Sequence, residues 1–79
     1  MQIKLFAGLR ETAGSAEISL DLPDGSTVAD LSVALARALP AAAPLLQTVR
    51  IAINHDFAAP GRVIGPADEV AVIPPVSGG

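Results

Sequence analysis

Val70-Ala71-Val72-Ile73-Pro74-Pro75-Val76-Ser77-Gly78-Gly79 closes the sequence, and its first four residues decide the fold. They are apolar on both parities, the mark of a strand in the middle of a sheet rather than at its rim. Pro74 and Pro75 have no N–H to give to a ladder, so the strand stops there and its exit is stiff. The four residues beyond are small or short and reach about 13 Å when extended. Gly78 and Gly79 lack side chains and make a thread narrow enough for a tight channel. The α-carboxylate of Gly79 has a pKa of roughly 3.3–3.7 and is ionised at neutral pH. It reads as the reactive group of the molecule. Residues 1–75 therefore read as a folded body and residues 76–79 as a flexible tail.

Working outward, residues Met1 to Phe6 alternate, with Ile3 and Leu5 on one face and Gln2, Lys4 and Phe6 on the other. Ala7 to Gly14 reads as a connection. Ile18, Leu20 and Leu22 then alternate with Glu17, Ser19 and Asp21, a half-buried strand forming a hairpin with the first. Pro23-Asp24-Gly25-Ser26 is a turn. Thr27 is a helix N-cap, and Asp30 stands where a capping box needs it. Val28, Leu31, Leu35, Ala38 and Leu39 make one helical stripe, and Pro40 ends the helix. Ala41 to Thr48 reads as a short helical turn burying Leu45 or Leu46. Val49 to Asn54 is a third strand, Asn54-His55-Asp56 a turn, and Phe57-Ala58 a short fourth strand. Val63 and Ile64 plug the core from a loop. Gly65 to Asp68 turns the chain into the last strand.

One main helix can cover only one face of a small sheet, so the fold class is α+β, with four to five strands in a mixed sheet. A central last strand running parallel to the first places the ends of both together. Phe6 and Ile73 then sit on the uncovered face, beside the tail, in an apolar patch that reads as a partner surface.

The composition excludes several chemistries. The chain has 79 residues, 51% apolar and 16% charged, and is globular rather than disordered. It has no cysteine, which rules out disulfides, thiolate metal sites and thioester or persulfide chemistry on this chain. Any sulfur it handles is carried somewhere other than a side chain. The net charge of −3 and pI near 4.7 argue against a nucleic-acid surface. The first residues lack a signal-peptide core. The greasy stretch from Val33 to Leu46 is broken by Arg37, Pro40 and Pro44, so no membrane span is expected and the cytoplasm is the default location. His55, the one histidine, has no partners at ligand spacing, so no metal site is expected. The carboxylates are scattered through turns and polar faces, Arg10 reads as a solvated charge, and no serine has a histidine placed to activate it. No catalytic residue is expected.

Phe6-Ala7-Gly8-Leu9-Arg10-Glu11-Thr12-Ala13-Gly14, Thr27-Val28-Ala29-Asp30-Leu31, Val49 to Asn54 and the ending from Asp68 to Gly79 resemble the small subunit of molybdopterin synthase. That family belongs to the ubiquitin-like, β-grasp sulfur carriers. The resemblance runs in register along nearly the whole chain. It departs at Gly65-Pro66-Ala67-Asp68-Glu69, where the family runs Gly directly into Asp-Glu, and this leaves open where the last strand begins.

The resemblance implies a β-grasp body over residues 1–75 and a chemistry centred on the chain end. The Gly79 carboxylate is activated as an acyl-adenylate with ATP by a ubiquitin-activating-like adenylyltransferase. A sulfur donor protein then supplies the sulfur of a thiocarboxylate. The chain has no phosphate-cradling Gly-Lys-Ser/Thr loop of its own, consistent with that division of labour, and no bound cofactor is implied. The tail, with Val76, Ser77, Gly78 and Gly79, threads into the large subunit of the synthase, in a heterotetramer. Phe6, Phe57, Ile73, Pro74 and Pro75 form the partner contact. On this reading the chain is a non-catalytic carrier in molybdenum cofactor biosynthesis. Two alternatives share the fold: a carrier serving thiamin, cysteine or tRNA thiolation, and a ubiquitin-like modifier joined through its terminal glycine to lysines.

Overall fold

The computed structural model describes residues 1–74. Its five strands are β1 (Gln2–Leu5), β2 (Glu17–Ser19), β3 (Arg50–Ile53), β4 (Asp56–Phe57) and β5 (Val70–Ile73). They form one mixed sheet in the order β2-β1-β5-β3-β4. The doubly apolar last strand lies in the middle, as its composition requires. It runs parallel to β1, with Ile3 opposite Val70 and Leu5 opposite Val72. It runs antiparallel to β3, with Arg50 opposite Ile73 and Ile51 opposite Val72. β1 and β2 pair antiparallel, Ile3 opposite Ile18.

The hairpin between β1 and β2 holds a helix where a plain connection was expected. α1 spans Ala7–Ala13 and buries a single side chain, Leu9. One apolar anchor in seven residues leaves no periodicity to read. Its end is conventional: Gly14 is left-handed at φ 73°, and its N–H donates to the Arg10 carbonyl at 3.0 Å.

The main helix, α2 (Val28–Ala38), begins at the expected capping box. The Asp30 N–H donates to Thr27 Oγ1 at 3.3 Å, and the Thr27 N–H donates to Asp30 Oδ2 at 2.9 Å. Val28, Leu31 and Leu35 are buried, whereas Ala38 is exposed and Leu39 half-buried at the C-cap. The last turn of the stripe thus stands clear of the core. A 3-10 turn over Pro40–Ala42 leads into α3 (Ala43–Leu46). Here Ala42 is the fully buried residue, Leu46 is half-buried and Leu45 is exposed.

Asn54 and His55 form the two-residue loop between β3 and β4, both with positive φ, 53° and 73°. This is the backbone twist that tight hairpins favour. Val63 and Ile64 divide rather than act together. Ile64 enters the core at 5% exposure, while Val63 bridges to Thr27 and points outward. Successive residues of an extended segment face opposite ways, so one of the two had to turn out. The lengthened turn closes through the Asp68 N–H donating to the Gly65 carbonyl at 3.1 Å, and the last strand begins at Val70.

The core is a single cluster joining α1 and α2 to one face of the sheet, with Ile3, Leu9, Leu31, Leu35, Val70 and Val72 at its centre. The opposite face carries exposed Gln2, Lys4, Glu17 and Ser19.

Candidate functional site

The parallel pairing of β1 and β5 brings both strands to one end of the sheet. Phe6 follows Leu5 there, and Pro74 follows Ile73. Phe6 keeps an extended backbone, φ −129° and ψ 155°, so its side chain falls opposite to Leu5 by strand alternation. It is 46% exposed. Ile73 and Pro74 are half-buried. Pro75, Val76, Ser77, Gly78 and Gly79 lie outside the described residues.

Phe57 stands opposite Ala52 on the edge strand β4 and is 61% exposed. Ala52 and Ala71 face each other across β3 and β5 on the same open side. The register therefore joins Phe57 to Ile73 through small alanines, with Phe6 beyond. No sequence periodicity could reveal that Arg50 joins this group, because it is opposite Ile73 only in the folded register. Its guanidinium carbon lies 4.9 Å from the centre of the Phe57 ring, a cation–π contact at the edge of the apolar patch.

The other end of the open face is polar. Glu69 accepts a hydrogen bond and ion pair from Lys4 through Oε1, and its Oε2 lies 3.3 Å from His55 Nε2. The Glu69 N–H donates to Asn54 Oδ1 at 2.9 Å, and the Asn54 N–H returns a bond to the Glu69 carbonyl at 2.8 Å. The Lys4 contact pushes the Glu69 carboxyl below its usual range, and Glu69 in turn raises Lys4. Asp68 is also held low, first by the Gly65 N–H at 2.7 Å, then by the Asn54 amide and the Arg62 guanidinium. The Gly65 and Arg62 contacts of Asp68 are local to its turn, whereas Lys4 and Asn54 are brought to Glu69 and Asp68 from distant parts of the chain, where residue spacing carries no sign of them.

A groove of about 450 Å³ opens between the start of α2 and the β3–β4 edge, walled by Val28, Ser32, Phe57 and Pro60. Among the described residues no group of three or more His, Asp or Glu could hold a metal ion, and no single helix is long and apolar enough to cross a membrane. The face carries the exposed side chains of Phe6 and Phe57, and among the described residues no serine or threonine on it is hydrogen-bonded to the histidine.

The sequence pattern of the ThiS family matches residues 3–79. The chain belongs to the ThiS family. Among the relatives of this ThiS-family chain is a molybdopterin synthase sulfur carrier subunit of Chlamydomonas reinhardtii, 40% identical over 83 residues and covering all of both chains. The small archaeal modifier protein 1 of Haloferax volcanii is 38% identical over 87 residues, again covering all of both. A crystal structure of that modifier superimposes with a TM-score of 0.83 at 36% identity, over 99% of this chain and 97% of the other. The ThiS-family chain therefore has the β-grasp, ubiquitin-like fold that the resemblance implied.

Proposed function

We propose that this chain is a sulfur carrier acting as the non-catalytic small subunit of molybdopterin synthase, with the thiocarboxylate borne on Gly79. The observation that carries this reading is the end-to-end match with sulfur carrier subunits, which runs through the Gly78-Gly79 ending. In this reading residues 1–75 are the docking body and residues 76–79 the thread, and the protein works in the cytoplasm.

A carboxylate is a poor electrophile. An adenylyltransferase with ATP turns it into an acyl-adenylate, and sulfur from a donor protein displaces AMP. Phe6, Phe57, Ile73, Pro74 and Pro75 dock on the large subunit, which supplies the catalytic groups. Val76, Ser77 and Gly78 lead Gly79 into its channel. The absence of cysteine from the chain supports this chemistry, since the transferred sulfur needs a carrier atom outside the side chains.

The 38% identity to a small archaeal modifier favours a second reading, in which the same activated glycine is joined to lysines of other proteins. Reconstitution with the large subunit, activating enzyme and sulfur donor tests the first. Deleting Gly79 is expected to abolish sulfur transfer while folding and docking persist; transfer that survives the deletion contradicts the carrier reading.

A further inference from the structure

The five basic Lys and Arg side chains of the chain are four arginines, Arg10, Arg37, Arg50 and Arg62, and one lysine, Lys4. A guanidinium stays protonated and does not attack acyl groups near neutral pH. Lys4 Nζ is therefore the one side-chain amine on which an activated chain end could be trapped. It stands on the open face of β1 with its side chain 45% exposed, within reach of a small reagent or a second chain.

Charged groups surround it from each neighbouring element. Glu69, just before β5, bonds it directly, and Glu17 of β2 lies opposite it in register. His55 of the β3–β4 loop contacts the second oxygen of Glu69. Glu69 is itself anchored by the two backbone bonds with Asn54, so it is held in place to meet the ammonium. An amine attacks a carbonyl only after losing its proton, and the Glu69 contact holds Lys4 in the protonated form.

We propose that the Lys4–Glu69 ion pair shields the one side-chain amine of the chain, and that Lys4 is the side chain that takes up self-acylation when the pair opens. The role of the shield rests on the reading that Gly79 becomes activated. In the reaction that the shield suppresses, the Lys4 Nζ lone pair attacks the Gly79 carbonyl of a second chain's acyl-adenylate. A C–N bond forms, the C–O bond to AMP breaks, AMP leaves with the electron pair, and the nitrogen proton passes to solvent. The product is an isopeptide-linked pair of chains, and nothing is oxidised or reduced.

The test uses N-hydroxysuccinimidyl acetate as acyl donor on the full chain, with peptide mass spectrometry comparing acetylation at Lys4 with that at the Met1 α-amine of the same molecule. The reagent needs no activating enzyme, so the result does not depend on whether Gly79 is ever adenylated. Glu69→Gln is expected to raise the Lys4-to-Met1 ratio about threefold, the scale of an exposed ion pair. The unsubstituted chain in about 1 M salt is expected to shift the same way, because screening weakens exposed pairs. This second arm leaves the chain intact and guards against a folding effect of the substitution. A ratio that stays flat in either arm overturns the shield while leaving the carrier reading untouched.

Discussion

The Arg50 guanidinium carbon lies 4.9 Å from the centre of the Phe57 ring, placing a fixed positive charge beside the most exposed large apolar side chain of the described residues. Phe57 contributes little to the core at 61% exposure, so its size is available to a partner. Buried aromatic anchors commonly dominate docking energies. Phe57→Ala is expected to leave the melting temperature nearly unchanged. The same substitution should weaken binding to the large subunit at least about tenfold, by roughly 1.4 kcal/mol. Calorimetric titration beside a thermal melt checks both halves.

Thr27 and Asp30 close the capping box that starts α2. Thr27→Ala removes the Oγ1 acceptor of the Asp30 N–H and is expected to cost about 1 kcal/mol. In a domain of this size that lowers the melting temperature by about 4–8 °C. Circular dichroism melts of the variant measure it.

Leu31 is fully buried between α2 and the sheet. Leu31→Ala leaves a cavity and is expected to cost about 2–5 kcal/mol, a large part of the stability of a small domain. Urea unfolding of the variant should show a markedly lower midpoint with an unchanged slope. An unaltered midpoint would contradict the placement of Leu31 in the core.

Asp68 is held below its ordinary value of 3.8 by the Gly65 N–H, the Asn54 amide and Arg62. Its folded pKa is depressed, so the unfolded chain takes up the proton first as pH falls. The stabilisation is therefore present above the ordinary value and lost as pH drops through the folded one. Asp68→Asn is expected to lower stability at neutral pH and to flatten the acid limb of the stability profile. Urea midpoints at about pH 7 and about pH 3 measure that difference, and the gap between them should narrow in the variant.

The parts of the fold legible in the sequence are those with a periodic or chemical mark. Val70 to Ile73 announced a central strand by being apolar on both parities, and Thr27 with Asp30 announced a helix start. α1 was hidden because only Leu9 of its seven residues is buried. Val63 could not be told from Ile64 because both are apolar, and only the bridge to Thr27 decides which turns inward. At the site, strand parity was enough to place Phe6 and Ile73 together. Arg50 against Phe57 depends on the register of the β3–β4 hairpin and Lys4 against Glu69 on strands distant in the chain, and register leaves no trace in a single strand's pattern.

In the proposed function the chain end itself carries the sulfur. Intact-protein mass spectrometry of the chain purified from its native cell, with fragmentation to locate the change, tests it most directly. The expected species is heavier by the exchange of one oxygen for one sulfur, with the change on Gly79. A chain end that holds only oxygen while the cell is making molybdopterin would contradict it.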